Sequence, residues 1–360
     1  MTNSPLVRAQ AFCNAFNLRV PILMAPMAGA CPASLAVAVA NAGGLGGCGA
    51  LNMKPDAIRA WAADVRAQTN GSFQINLWIP DPAPVRDLAH EARVRAFLGQ
   101  WGPPVSPQAG DATPIDFAEQ CEAMLDVGPA TVSSIMGVYP REIVARLKEK
   151  NIRWLANVTT VAEARTAVAA GADVIVAQGM EAGGHRGSFE PERADTALIG
   201  LFALLPAVVD AVGDVPVVAT GGIADARGIA AVLLLGASAV QIGTGLLRTP
   251  EAKLAPAWAD TIGKTQPEDT VPTRAFSGRL GRSIATAYVK AANAEGAPKP
   301  APYPVQRALS QAMRDQAAKA GDIERMQAWA GQAARLATTE PAGDLVPRLW
   351  AEAQAMLKAS

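Results

Sequence analysis

Histidine is almost missing from this chain. Two among 360 residues, His90 and His185, cannot supply a multi-histidine metal site. Cysteine is also sparse: Cys13, Cys31, Cys48 and Cys121 are scattered with no Cys-x-x-Cys pair, which argues against a zinc site or a disulfide framework and leaves buried, reduced thiols. Net charge is absent, since 32 basic and 32 acidic residues cancel, so no basic field exists to attract nucleic acid or anionic lipid. Membrane-length apolar runs are lacking too. The stretch 198–209 is too short to span a bilayer and carries Pro206. With no cationic start leading into an apolar segment, the expected location is the cytoplasm.

Half of the residues are hydrophobic, enough for a large core. Over the first 250 residues short apolar runs alternate with helical stretches. Candidate strands are 21–27, 44–48, 73–79, 131–137, 153–158, 173–178, 215–220 and 239–244. Several are continuous Val/Ile/Leu/Ala runs, as expected for parallel strands buried on both faces. Ala-rich helical stretches at 32–41, 54–68, 140–150, 161–170 and 224–235 supply crossovers. The pattern predicts a (β/α)8 TIM barrel over 1–250. It also predicts a helical appendage over 251–360 that covers the barrel mouth, with helices at 305–320 and 322–337, and that includes any closing barrel helix. A Pro/Gly-rich insertion, 99–114, reads as a surface loop. The rival, an open doubly wound sheet, would show a clean Gly-x-Gly-x-x-Gly turn after the first strand. The glycine-dense 43–49 straddles a strand instead, and tight helix–strand packing accounts for it equally well.

Functional residues of a parallel barrel lie just past the strand C-termini. Those positions hold Ala25, Pro26 and Met27, then Asn76, Asn157 and Gln178, and later Gly221, Gly222, Gln241, Ile242, Gly243 and Thr244. Asn76 and Gln178 end apolar runs. Buried amides there need partners, either within the protein or on a ligand. The last two strands run into Gly221-Gly222 and Gly243-Thr244-Gly245, where missing side chains let backbone N–H groups approach an anion. Such barrels often bind phosphate there, although tight turns alone account for either glycine pair taken singly. The loop 178–189 holds Gly179, Gly183, Gly184 and Gly187 beside Glu181, His185 and Arg186, and reads as the catalytic loop. His90 sits in a charged helical stretch and reads as a surface residue.

The segments 25–29 (Ala-Pro-Met-Ala-Gly), 41–46 (Asn-Ala-Gly-Gly-Leu-Gly), 178–185 (Gln-Gly-Met-Glu-Ala-Gly-Gly-His), 221–228 (Gly-Gly-Ile-Ala-Asp-Ala-Arg-Gly) and 236–244 resemble the nitronate monooxygenases. The resemblance resumes at Tyr303-Pro304 and Trp329-Ala330-Gly331. It implies noncovalent FMN and oxidation of alkyl nitronates by O2 to a carbonyl compound and nitrite. It also implies Asn76, Gln178, Gly183, Gly222 and 241–244 as FMN contacts, with His185 catalytic at the flavin. Met27 would lie near the ring and Tyr303 would reach substrate from the appendage. One position departs: the arginine and phenylalanine often found after Gly-Thr are here Gly245 and Leu246, with Arg248 the nearby substitute cation. Histidine's ordinary pKa of about 6.5 would suit it to remove an α-proton from a nitroalkane.

The same barrel and histidine loop also resemble flavin-dependent enoyl-thioester reductases and NADH:quinone reductases, so an FMN-dependent NAD(P)H reductase is the alternative. A non-catalytic flavin-binding protein would leave His185 unexplained. The expected partners are a small nitronate and O2, with no nucleic acid and no membrane.

Overall fold

The computed structural model describes residues 4–359. Eleven strands lie among the described residues: β1 Ile22–Met24, β2 Gly46–Gly49, β3 Phe73–Trp78, β4 Thr131–Ile135, β5 Arg153–Val158, β6 Val174–Gln178, β7 Gly184–His185, β8 Val217–Thr220, β9 Ala239–Ile242, β10 Thr270–Thr273 and β11 Gly281–Ile284. Eight of them, all parallel, run in the order β1-β9-β8-β6-β5-β4-β3-β2. A parallel bridge between Leu23 and Leu45 joins the two ends, closing the (β/α)8 barrel. Strands β3, β4 and β6 are almost wholly buried, because side chains of one face fill the lumen and those of the other meet the helices. The helix Pro5–Phe16 lays Phe12 and Phe16 onto the lumen residues Leu23, Leu155, Val176 and Val218, plugging the end away from the strand C-termini.

The early glycines serve packing. A Cβ on Gly46 would stand 2.8 Å from the Ala36 carbonyl oxygen, and one on Gly47 2.6 Å from that of Met24. Only glycine lets β2 seat so closely against β1 and the helix Ala33–Asn41.

The last 110 residues are mainly helical, with two corrections. Strands do not stop at 250: β10 and β11 pair antiparallel, and β11 pairs with β7 through Gly281–His185 and Arg282–Gly184. Segment 322–337 is not a helix. Its backbone is extended around Trp329, which bridges Ser283, and the amide of Gln332 donates to Glu181 O at 2.9 Å. Neighbouring barrel groups satisfy this backbone, so a local helix is unnecessary. The terminal helix Ala342–Ala359 packs on the helices Ala33–Asn41 and Ala226–Leu234 in the outer ring. Among the described residues, no helix is long and apolar enough to cross a membrane.

Candidate active site

A cavity of about 430 Å³ opens at the strand C-termini. Ala25, Pro26, Met27, Asn76, Gln178, Gly183, Gly184, His185, Gly221, Gly222, Gln241, Gly243 and Thr244 all line it. Ile242 does not: it is 1% exposed in the core, and its carbonyl accepts from Ala25 N at 2.9 Å. Tyr303 stands outside this cavity, on an adjoining one, with its ring stacked 4.8 Å from Trp78.

At the ends of β8 and β9 the backbone N–H groups of Gly222, Gly243 and Thr244 meet no protein acceptor among the described residues. Gly222 holds φ +69°, a left-handed conformation natural to glycine, and a Cβ there would touch Glu181. Just beyond it starts the helix Ala226–Leu234, capped by Asp225 through Gly228 N at 3.1 Å. Free amides at two strand ends beside a helix N-terminus form an anion cradle.

Two amides on the wall differ. Asn157 Nδ2 is buried without a partner, an orphan donor at the cavity. Gln178 has both ends engaged by the loop 178–189: Nε2 donates to His185 O at 3.0 Å, and Oε1 accepts from Gly187 N at 2.8 Å. Gln178 therefore shapes the loop that carries the histidine. Glu181 and Arg186 are structural as well. Glu181 accepts from Leu201 N, and the buried Arg186 donates to the carbonyls of Gln178, Thr159 and Ala197.

His185 sits between Trp78 and Trp329, ring centroids 4.9 and 5.0 Å away. Its Nε2 lies 2.7 Å from Ser277 Oγ, while Nδ1 has no protein partner among the described residues. Enclosure by the two indoles, aided by the positive charges of Arg307, Arg279 and Arg314, pushes its pKa down to about 3. The ordinary value near 6.5 expected from the sequence therefore does not hold: the ring is neutral at physiological pH. His90 lies elsewhere, 2.7 Å from Lys299 O.

Arg307 and Arg314 supply the wall with positive charge. Arg307 donates to Asn52 Oδ1 at 2.7 Å, and Arg314 to Gln327 Oε1 at 2.7 Å and Gln311 Oε1 at 2.6 Å. Neither has an ion-pair partner among the described residues. Arg248, expected near the glycine turn, instead donates to Ala337 O at 2.8 Å and does not line the cavity. Trp78, Ser277, Arg307 and Arg314 escaped sequence reasoning. Only Trp78, at the end of an apolar strand, carried a local signal.

The model of the nitronate monooxygenase family matches residues 10–352. A nitronate monooxygenase of Pseudomonas aeruginosa is 38% identical over 343 residues, covering 94% of this chain and 97% of the relative. A probable nitronate monooxygenase of Staphylococcus aureus is 34% identical, covering 92% and 94%. Among solved structures, the nitroalkane oxidase from Streptomyces ansochromogenes superposes with a TM-score of 0.86 at 37% identity, covering 96% of this chain and 99% of that one. FabK from Thermotoga maritima follows at 0.75 and 28%, covering 97% of both. A match that takes in the barrel, the histidine loop and the appendage together makes this chain an oxidoreductase belonging to the nitronate monooxygenase family.

Proposed function

We propose that this chain binds FMN noncovalently and oxidises alkyl nitronates with O2 to a carbonyl compound and nitrite. The cavity fits the cofactor on three counts. The backbone amides of Gly222, Gly243 and Thr244 suit a phosphate, Asn157 Nδ2 lacks the acceptor that a flavin ring edge or ribityl chain offers, and the volume is that of a small-molecule site. Bound there, FMN would accept electrons from substrate and return them to O2.

The observation that carries the choice of substrate is the cationic wall: Arg307 and Arg314 line the same cavity as His185, each held by neutral amide side chains. A base whose pKa is about 3 is poorly matched to removing a carbon-bound proton near pH 7. A nitronate has already lost that proton and needs an anchor instead. Arg307 and Arg314, without an ion-pair partner among the described residues, attract the anion. His185 donates from Nδ1 to a nitronate oxygen when Ser277 donates its hydroxyl proton to Nε2. Trp78 meets the imidazole edge-on and Trp329 at a tilt, and together they limit its rotation.

The test is aerobic turnover of ethyl nitronate and of nitroethane at one pH, without NADH. Nitrite from the nitronate alone, on yellow protein releasing about one FMN per chain, is the expected result. Brisk NADH-dependent reduction of a quinone or enoyl thioester with no nitrite would move the assignment to the reductase alternative.

A further inference from the structure

A second cavity, of about 850 Å³, adjoins the first. Leu51, Asn52, Trp78, Arg307 and Gln311 line both, so only these side chains lie between the two chambers. The outer chamber is lined by the proline-rich insertion 104–115 on one side, by 80–84 on another, and by the appendage helices from Tyr303 to Ala312 on the third.

The chemistry of these walls is distinctive. Pro80, Pro82, Pro84, Pro104, Pro114 and Pro304 all face the space. Proline has no N–H, so loop backbone that would otherwise present donors presents hydrocarbon. Ile115, Phe117 and Leu309 continue that surface. Cationic character is concentrated where the chambers meet, at Arg307, whose guanidinium is held by Asn52. Two carboxylates also line the outer chamber: Asp81, which is paired with Arg279, and Asp315, which accepts from Gln311. The junction suits an anionic head and the proline-lined wall an apolar tail.

Resting on the nitronate reading above, we infer that the outer chamber holds the alkyl tail of the substrate, so that this enzyme takes nitronates with extended chains. The anionic head lies at Arg307 and His185, and the tail passes the Trp78–Tyr303 stack into the proline-lined space. A rigid wall of this kind needs no ordering when the tail enters, so each buried methylene contributes close to its full transfer free energy.

The experiment measures kcat/KM for ethyl, butyl, hexyl and octyl nitronate by nitrite release. In parallel, it measures the affinity of the neutral probes nitroethane and 1-nitrohexane by calorimetry on the FMN-loaded protein. Both series are repeated with Ala312→Trp and with Ala112→Trp, two exposed positions on opposite walls. The expectation is a rise of about threefold per added methylene in kcat/KM and in probe affinity. In both variants the hexyl-to-ethyl ratio collapses toward one. Nitrite from ethyl nitronate together with a flat or falling chain-length series overturns the tail chamber while the nitronate reading stands. Absence of nitrite from every nitronate overturns that reading and this inference with it. Chain-length dependence that survives both tryptophans puts the tail elsewhere and overturns the chamber.

Discussion

His185 Nε2 and Ser277 Oγ lie 2.7 Å apart although 92 residues separate them in the chain. The hydroxyl sits in the turn between β10 and β11, four residues before the strand that pairs with the histidine's own backbone. Ring and backbone are thus both held by the β10–β11 hairpin, the ring through its turn and the backbone through its second strand.

Removing that hydroxyl gives the first prediction. Ser277→Ala leaves His185 Nε2 without its partner, frees the choice of tautomer, and lowers nitronate kcat/KM by roughly tenfold, the worth of one hydrogen bond of about 1.4 kcal/mol. FMN content measured by absorbance stays at the wild-type level. An unchanged kcat/KM would show that the hydroxyl does not govern the ring.

A second prediction concerns pH. Because burial holds His185 far below 6.5, nitronate kcat/KM shows no titration step between pH 5.5 and 7.5 that His185→Asn removes. A step near 6.5 in the wild type, absent from the variant, would mean that the histidine keeps its ordinary pKa. The variant itself loses about tenfold or more in kcat/KM while remaining yellow.

The same shift acts on stability. The folded ring has the lower pKa, so the unfolded chain binds the extra proton once pH falls below about 6.5. Stability from this group is complete above 6.5 and is lost progressively as pH falls toward about 3. Denaturant unfolding at pH 7.5 and pH 5 therefore shows a larger drop for wild type than for His185→Asn. Equal drops would place no shifted histidine in the folded state.

The anion cradle is tested by Gly222→Val. The side chain would meet Glu181 and force an unfavourable positive φ, pulling the amides out of position. FMN affinity falls at least tenfold, read by equilibrium dialysis, while the circular dichroism of the apoprotein is retained. Undiminished affinity in a folded variant would put the phosphate elsewhere.

A fifth prediction addresses the support under Trp78. Arg279, 1% exposed, reaches Asp81 through two hydrogen bonds of 2.9 and 2.6 Å and stands 5.9 Å over the Trp78 ring. Asp81→Ala strands a buried guanidinium, and the chain loses about 3 kcal/mol of stability in urea titration. A loss well under 1 kcal/mol would mean that water solvates Arg279 freely.

The barrel was legible because its strands are hydrophobic runs that any parallel sheet needs, and because β8 and β9 end on glycines that the backbone cradle requires. Most cavity positions followed, since strand ends converge in a barrel whatever the side chains. What escaped notice depends on distant pairing. Gly281–Ile284 carries glycine, arginine and serine, with no apolar alternation, and is a strand because β10 pairs along one edge while β7 and Trp329 lie on the other. The stretch 322–337 has helix-forming composition, yet Glu181 and Ser283 draw its backbone out. Ser277 and Arg314 resemble ordinary surface residues until the appendage folds over the mouth. Gln178 sat at the expected place, but its amide engages the loop on both sides, a preference no local pattern encodes.

The pairing of β7 with β11 sets an order of events during synthesis. The barrel strands, the glycine turns and His185 are all synthesised before residues 277–284. Domains form from the N-terminal side as the chain emerges, yet a chain ending near 250 has every barrel strand while the histidine loop still lacks the strand that holds it and the outer ring lacks the helix Ala342–Ala359. The backbone around His185 is therefore among the last parts of the barrel mouth to be fixed.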